Sequence, residues 1–409
     1  MTNLGPIPPD FVSRDGELCI GGKTASHVVA EAGRTPLFAY DMAVVERRLR
    51  ELRAVMPQRL AIHYALKANP FAPLLRHMRG LVDGFDVASG GELAAALNAG
   101  MDAACISFAG PGKDDAELAA AIEAGVTINL ESHNEARRAI AIAGKLAIRP
   151  RLAVRVNPAF DLRGSGMKMG GGARQFGVDA PLVPALVQEI IGSGAEWRGY
   201  HVYAGSQSLD AAAIVDAQSA TLDMVAGLAE ATKAPVPHCN LGGGFGIPYF
   251  SGDASLNIAT IGAALRRQLS QLNNALRDTS FAIELGRWLV GEAGVYLTRV
   301  IDVKSSHGET FVITDGGLHH QLAASGNFGT VVKRNYPLAI ANKFGAATAS
   351  DPQHIVGRLC TPLDRLAHKA MLPLVAVGDL VAVFCAGAYG ATASPENFLG
   401  HGPAVELLV

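Results

Sequence analysis

Between Pro36 and about Gly286 the chain alternates short apolar runs with Ala-rich stretches of helical period. The runs are LFAYD (37–41), AIHYALK (61–67), GFDVAS (84–89), ISFAG (106–110), TINLES (127–132), RLAVRVN (151–157), YHVYAG (200–205), HCNLGGGF (238–245) and FAIELG (281–286). Segments such as DMAVVERRLRELRAVM and GGELAAALNAG lie between them, with apolar residues at helical spacing. Strand, helix, strand repeated in this way demands a parallel sheet with crossover helices. Eight or so units favour closure over an open doubly wound sheet. The expected fold class is therefore α/β, with a TIM-like (β/α)8 barrel over residues 36–286. In such barrels chemistry sits at the C-terminal ends of the strands. The runs here end in Lys67, Ser89, Asn157, Ser206, Gly242–Gly244 and Arg287.

After Gly286 the pattern becomes short alternating runs with Gly and Asp turns, as in GVYLTRVIDVKSS and TFVITDG. This predicts a C-terminal antiparallel β domain over 287–409. Residues 1–35, including GELCIGGKT, read as strands that join the sheet of that domain. Hydrophobic residues make up 49% of the chain and charged residues 18%, enough apolar material for a large core and too little charge for disorder. With Lys plus Arg at 35 and Asp plus Glu at 37, the balance argues against nucleic acid as a partner. No stretch reaches the ~20 apolar residues of a membrane span, and the N-terminus lacks a signal-peptide pattern. Cys19, Cys105, Cys239, Cys360 and Cys385 are scattered, without a CxxC pair. No disulfide framework or metal site is expected, and a cytoplasmic location is.

Three strand ends stand out chemically. Lys67 follows apolar Ala65 and Leu66, and partial desolvation of its amine lowers its pKa and favours a Schiff base. Most lysines are merely solvated, so position alone does not decide between the two. LGGGFG (241–246) offers backbone N–H groups that can approach a phosphate, or an ordinary turn. IELGR (283–287) sets a carboxylate and a guanidinium three residues apart, a surface ion pair by default. At a barrel mouth, Arg287 instead suits a phosphate and Glu284 a basic ring nitrogen.

YALKANP, FDVASGGEL, AGSQ, LGGGFG, ELGR, CTPLD and AGAYG occur in the order found in the fold type III pyridoxal-phosphate decarboxylases of the ornithine/diaminopimelate family. The chain resembles that family from about Pro36 to Phe398. The resemblance implies an alanine-racemase-like barrel plus β domain, pyridoxal 5'-phosphate as cofactor, and a head-to-tail homodimer with shared active sites. It implies that Lys67 carries the cofactor and that Glu284 partners the pyridine nitrogen. A carboxylate there keeps the ring an electron sink, whereas racemases of this fold place an arginine. Gly243, Gly244, Ser206, Arg287 and Tyr389 correspond to the phosphate cradle, Asp86 to an acidic residue near the cofactor, and Arg155 to a basic one beside its hydroxyl group. Cys360 takes the place of the cysteine that reprotonates the substrate Cα across the subunit boundary.

The chain departs from the family in three places. Thr361 replaces the acidic residue after the cysteine that grips the distal ammonium of a diamino substrate, which leaves Asp364 and Asp315 as substitutes. Tyr203 stands where the family has a cofactor-stacking histidine, with His201 two residues earlier, and either is a candidate. Leu285 replaces a proline. GGGARQFGV (170–178), ASGNFGTVVKRNYP (324–337), LCTPLD (359–364) and ASPENFLG (393–400) are similar to the exosortase-associated and butirosin-type subgroup, which includes an enzyme acting on a glutamyl unit held by an acyl-carrier protein. Lys333, Arg334 and Tyr336 in the second segment, with Thr361, Asp364 and Tyr389, are the candidate substrate contacts. The basic pair suits a carboxylate, a phosphopantetheine phosphate or an acidic carrier surface, and equally a solvated turn. The expected reaction is decarboxylation of an α-amino acid or an aminoacyl–carrier conjugate. The alternatives are a diaminopimelate, lysine or ornithine decarboxylase, an amino-acid racemase, and a non-catalytic regulatory homologue.

Overall fold

The structure is a computed structural model that describes residues 3–326 and 334–409. It divides into two compact units. One holds the segment up to Arg48, Ile247–Ala254 and Arg287–Val409, and the other Leu49–Gly246 and Ser255–Gly286.

The second unit is a closed barrel. Parallel strands Leu60–Ala65, Gly84–Val87, Ile106–Phe108, Thr127–Leu130, Arg151–Asn157, Glu196–Val202, His238–Asn240 and Ser280–Leu285 pair in chain order, and the last returns to the first through Phe281↔Leu60 to Leu285↔Tyr64. A helix follows most strands. Its start is set by side chains that satisfy orphan backbone donors. Ser89 Oγ accepts from Glu92 N at 3.2 Å, Ser132 Oγ accepts from Glu135 N at 3.0 Å, and Asp114 and Glu117 form a reciprocal capping box. Ser89 is thus a helix cap. The helix His133–Leu146 buries Ala136, Ala139 and Ala143 along one face, the stripe its spacing predicts.

The first unit carries a mostly antiparallel eight-stranded sheet built on the long strand Gly294–Ser306. Leu37–Tyr40 pairs with it antiparallel, and Val405–Leu408 then pairs parallel with Leu37–Tyr40. Glu309–Thr314 and Gln353–Val356 form a second parallel pair. Two expectations need correction here. LFAYD, read as the first barrel strand, belongs to this sheet. An apolar run of four or five residues has no helical or strand-order information of its own, and both partners of 37–40 are more than 250 residues away in sequence. The N-terminal strands do not join the sheet either. Val12–Arg14, Glu17–Ile20 and Lys23–Thr24 make their own small meander. Leu18 and Ile20 pack instead on Leu37, Val295 and Phe384 in one buried cluster. Among the described residues no helix is long and apolar enough to cross a membrane.

One glycine shows how tightly the barrel is drawn. The register of Glu196–Val202 against Arg151–Asn157 shifts between Trp197 and Gly199, and Gly199 sits at φ +103°. A Cβ there would lie 1.9 Å from the His238 carbonyl oxygen on the next strand. Both the conformation and the contact exclude a side chain. Gly199→Ala is expected to destabilise the protein by about 2–3 kcal/mol, read from denaturant unfolding.

Candidate active site

The barrel gathers four of the expected residues, Lys67, His201, Tyr203 and the buried carboxylate of Glu284. Glu284 lies near the end of Ser280–Leu285 with its side chain 3% exposed. His201 Nε2 is 2.7 Å from Glu284 Oε2, and Asn240 Nδ2 donates to the same oxygen at 3.3 Å. The other oxygen is 3.8 Å from Lys67 Nζ, whose side chain is 42% exposed. Lys67 sits in the turn Leu66–Ala68 between buried Leu66 and Ala68, and its Nζ lies 5.0 Å from the centre of the Tyr203 ring. Burial alone raises the Glu284 pKa, but the His201 imidazole and the Lys67 ammonium more than offset it and hold the carboxyl down to about 2. His201 and Tyr203 therefore have different surroundings. The first hydrogen-bonds the carboxylate, and the second presents its ring to the lysine.

The glycine run follows His238–Asn240 and is laced to its neighbours. Gly242 N donates to Asn240 Oδ1 at 2.9 Å, and Ser208 N donates to Gly244 O at 2.9 Å. A Cβ on Gly243 would fall 1.8 Å from Glu284 O, and one on Gly244, at φ +86°, 2.5 Å from Gly205 O. The loop can thread there only without side chains. Ser206, in the short pairing of Gly205–Ser206 with Met167–Lys168, adjoins it. Asp86 and Arg155 also line the interior, each with a partner that sequence reading missed. His63 Nδ1 is 3.4 Å from Asp86 Oδ2, and the Arg155 guanidinium donates to Glu131 at 2.8 Å. Burial lowers the His63 pKa and the Asp86 carboxylate more than compensates, so the net shift is upward. Glu131 stands at the end of the run TINLES, where an acid closing a barrel strand was the available signal.

In the β unit, Arg287 is held by aromatic groups. Its Nη1 donates to Tyr249 Oη at 2.7 Å, and its guanidinium lies 5.5 Å from the Tyr249 ring centre and 4.6 Å from that of Tyr389. Arg287 Nε is buried without a hydrogen-bond partner among the described residues. Tyr389 adopts φ +56°, a left-handed conformation uncommon for a side chain of this size. Tyr249 is a further residue that the sequence did not mark. Tyr336 is buried, its ring 4.7 Å from that of Tyr249. Arg334, half exposed, stacks over Phe250 at 3.9 Å and lies 3.9 Å from Asp253. Lys333 lies outside the described residues.

Cys360 is exposed, in a loop fixed by Asp364. Asp364 Oδ1 accepts from Leu318 N at 2.7 Å, and Oδ2 accepts from Leu359 N at 2.9 Å. Cβ atoms on Gly317 or Gly357 would come within 2.2 Å of this carboxylate. Asp315 is also committed. Its Oδ1 takes Thr298 Oγ1 at 2.6 Å and Arg299 N at 2.8 Å, and its Oδ2 accepts from Thr35 Oγ1. Both acids already accept from backbone amides or hydroxyls, so each has a structural task in the β unit. Thr361 is half-buried in the same loop.

These residues fit pyridoxal phosphate. The Lys67 amine and the ionised Glu284 suit the two ends of its ring chemistry. The Gly243–Gly244 backbone offers donors suited to its phosphate. The family model described as pyridoxal-dependent decarboxylase, pyridoxal binding domain, matches residues 42–291. The L-glutamyl-[BtrI acyl-carrier protein] decarboxylase of Niallia circulans is 37% identical over 383 residues, 91% of this chain and 88% of that enzyme. The 2-[(L-alanin-3-ylcarbamoyl)methyl]-2-hydroxybutanedioate decarboxylase of Staphylococcus aureus is 30% identical, covering 93% and 94% of the two chains. Diaminopimelate decarboxylase from Helicobacter pylori, solved with L-lysine, superposes with a TM-score of 0.82 at 26% identity over 94% of each chain. The chain belongs to the pyridoxal-dependent decarboxylase family: it is a pyridoxal-phosphate-dependent lyase with the fold type III architecture, acting on an amino-acid substrate.

The lowered Glu284 pKa has a consequence for acid stability. A carboxyl held below its ordinary 4.5 contributes stability that is present above that value and lost as the pH falls toward 2. Between about pH 5 and pH 3, the unfolding midpoint of wild type should fall more steeply than that of Glu284→Gln. Parallel slopes in thermal melts would show that Glu284 carries no such linkage.

Proposed function

We propose that this enzyme removes the α-carboxyl group of a glutamyl-type unit carried on the phosphopantetheine arm of an acyl-carrier protein, and that it works as a head-to-tail homodimer. The observation that carries the substrate reading is the distal end of the site. Thr361 offers a hydroxyl, and the nearby Asp364 and Asp315 are spent on the fold. A distal ammonium would have to share these carboxylates with the amides and hydroxyls they already hold, and a poorly paired charge is costly. The 37% identity to an enzyme that decarboxylates a carrier-bound glutamyl group points the same way.

Pyridoxal phosphate, when bound, supplies the electron sink that lets the bond from Cα to the carboxyl break. Lys67 is the amine that would hold the cofactor. Glu284, ionised and with its second oxygen fixed by His201 and Asn240, would serve the pyridine nitrogen. Tyr203 would take the stacking role. Ser206, Gly243 and Gly244 would bind the phosphate through hydroxyl and backbone donors, and the family resemblance gives Arg287 and Tyr389 the same role. Asp86 and Arg155 would serve the groups on the ring. The Cys360 thiol returns a proton to Cα in the neighbouring subunit, which accords with its exposure in the single chain. Arg334, with Lys333 and Tyr336 close in sequence, is assigned to the anionic end of the substrate or its carrier.

The deciding experiment is CO₂ release by the loaded enzyme. Its panel is diaminopimelate, lysine, ornithine, arginine, free glutamate and a glutamyl thioester on a phosphopantetheine arm. The thioester is expected to turn over at least about 100-fold faster than any diamino acid. Comparable turnover of diaminopimelate would sink the substrate reading. For the shared site, Lys67→Ala and Cys360→Ala should each be inactive alone. Mixing them should restore about a quarter of wild-type activity, the share expected when half the dimers are mixed and each has one intact site. No recovery on mixing, with subunit exchange verified, would remove the head-to-tail assignment.

A further inference from the structure

Glu131 closes the strand Thr127–Leu130 at 3% side-chain exposure, and each of its oxygens has a different task. Oε1 accepts from Gly110 N at 2.6 Å and from Arg155 Nη1 at 2.8 Å. Oε2 accepts from Gly177 N at 2.9 Å. Gly177 ends the long segment 158–177, just before Val178–Asp179 pairs in parallel with Val156–Asn157. It sits at φ +72°, and a Cβ there would meet Asn157 N at 2.8 Å, so only glycine brings this amide to the carboxylate. The preceding Phe176 places its ring 5.0 Å from the Arg155 guanidinium. Arg155 is thus held between a carboxylate and a ring that both depend on how this segment closes.

Behind Glu131 the scaffold is fully bonded. Its own N–H donates to Glu135 Oε2 at 3.1 Å, and Glu135 in turn pairs with the buried Lys113, which also donates to Gly110 O at 2.8 Å and Asn129 O at 3.0 Å. The four charges, Glu131, Glu135, Lys113 and Arg155, sum to zero in the barrel wall. Burial raises the Glu131 pKa, and the charges of Arg155 and Lys113 more than reverse this. The field of Arg155 also reaches Glu284.

We propose that Glu131 is a positioning residue that ties the segment 158–177 to Arg155, so that the closure of this segment and the charge presented at the cofactor's hydroxyl side are set together. The inference rests on the reading of Arg155 as the group beside that hydroxyl.

The test uses wild type, Glu131→Gln and Arg155→Met, each loaded with pyridoxal phosphate, with two readouts besides activity. The first is the pH midpoint at which the bound cofactor's visible absorbance titrates. The second is the rate of tryptic cleavage at Arg163 and Arg174, both exposed on the segment. Glu131→Gln leaves Arg155 uncompensated and frees the Gly177 amide. The midpoint is expected to move to lower pH by about one unit, and cleavage to rise several-fold. Glu131→Asp, which keeps the charge, should move the midpoint less. An unchanged midpoint, or an unchanged cleavage rate, in Glu131→Gln overturns the coupling. If Arg155→Met retains the wild-type midpoint, the reading of Arg155 fails, and the proposal with it. Should Glu131→Gln not fold, Gly177→Ala breaks the segment's end of the tie alone. It must then both speed cleavage and move the midpoint, and a fixed midpoint counts against the proposal.

Discussion

A single buried carboxylate sets the terms for the catalytic end of the barrel. Glu284 lies on the strand that closes the ring, paired through Leu285↔Tyr64 with the strand that delivers Lys67. An ionised glutamate in such a place needs compensation. It comes from Asn240 on the adjacent strand, His201 on the strand beyond it and Lys67 across the closure. The barrel must therefore close in this register for the carboxylate to stay charged.

The same device appears elsewhere with a structural purpose. Asp364 and Asp315 spend their oxygens on backbone amides and hydroxyls, fixing the loop that presents Cys360 and the start of the segment after Thr314. Glu131 does likewise between strands and a long loop. Glycines accompany these clamps because a Cβ would strike the carboxylate at Gly317 and Gly357, and the neighbouring strand's backbone at Gly177. Carboxylates that look unengaged in the sequence are in this way given structural partners by the fold.

Much of the architecture was legible beforehand. The strand and helix periods marked all eight barrel strands, since parallel strands buried on both faces read as apolar runs. The motif residues Lys67, Glu284, Gly243 and Gly244 were visible because their chemistry is local, lying at strand ends and in glycine runs. Of the two misread elements, the N-terminal strands pair with one another, and the other has partners far along the chain. LFAYD has the composition of a barrel strand, and only its pairing with Gly294–Leu297 and Val405–Leu408 assigns it to the other unit. Tyr249, His63 and Glu131 carry no motif and become visible only through the side chains they touch.

The sequence by itself determined the alternation that builds the barrel, the order of the motifs, and the residue types able to carry the chemistry. These depend on periodicity and local composition. The tertiary structure decided that His201 grips Glu284 while Tyr203 faces Lys67, that Asp364 and Asp315 are not free, and that Arg155 leans on Glu131. Those outcomes depend on burial and on distances between residues tens to hundreds of positions apart. A side chain's partners and the cost of leaving it unpaired are fixed only when the chain has closed around it.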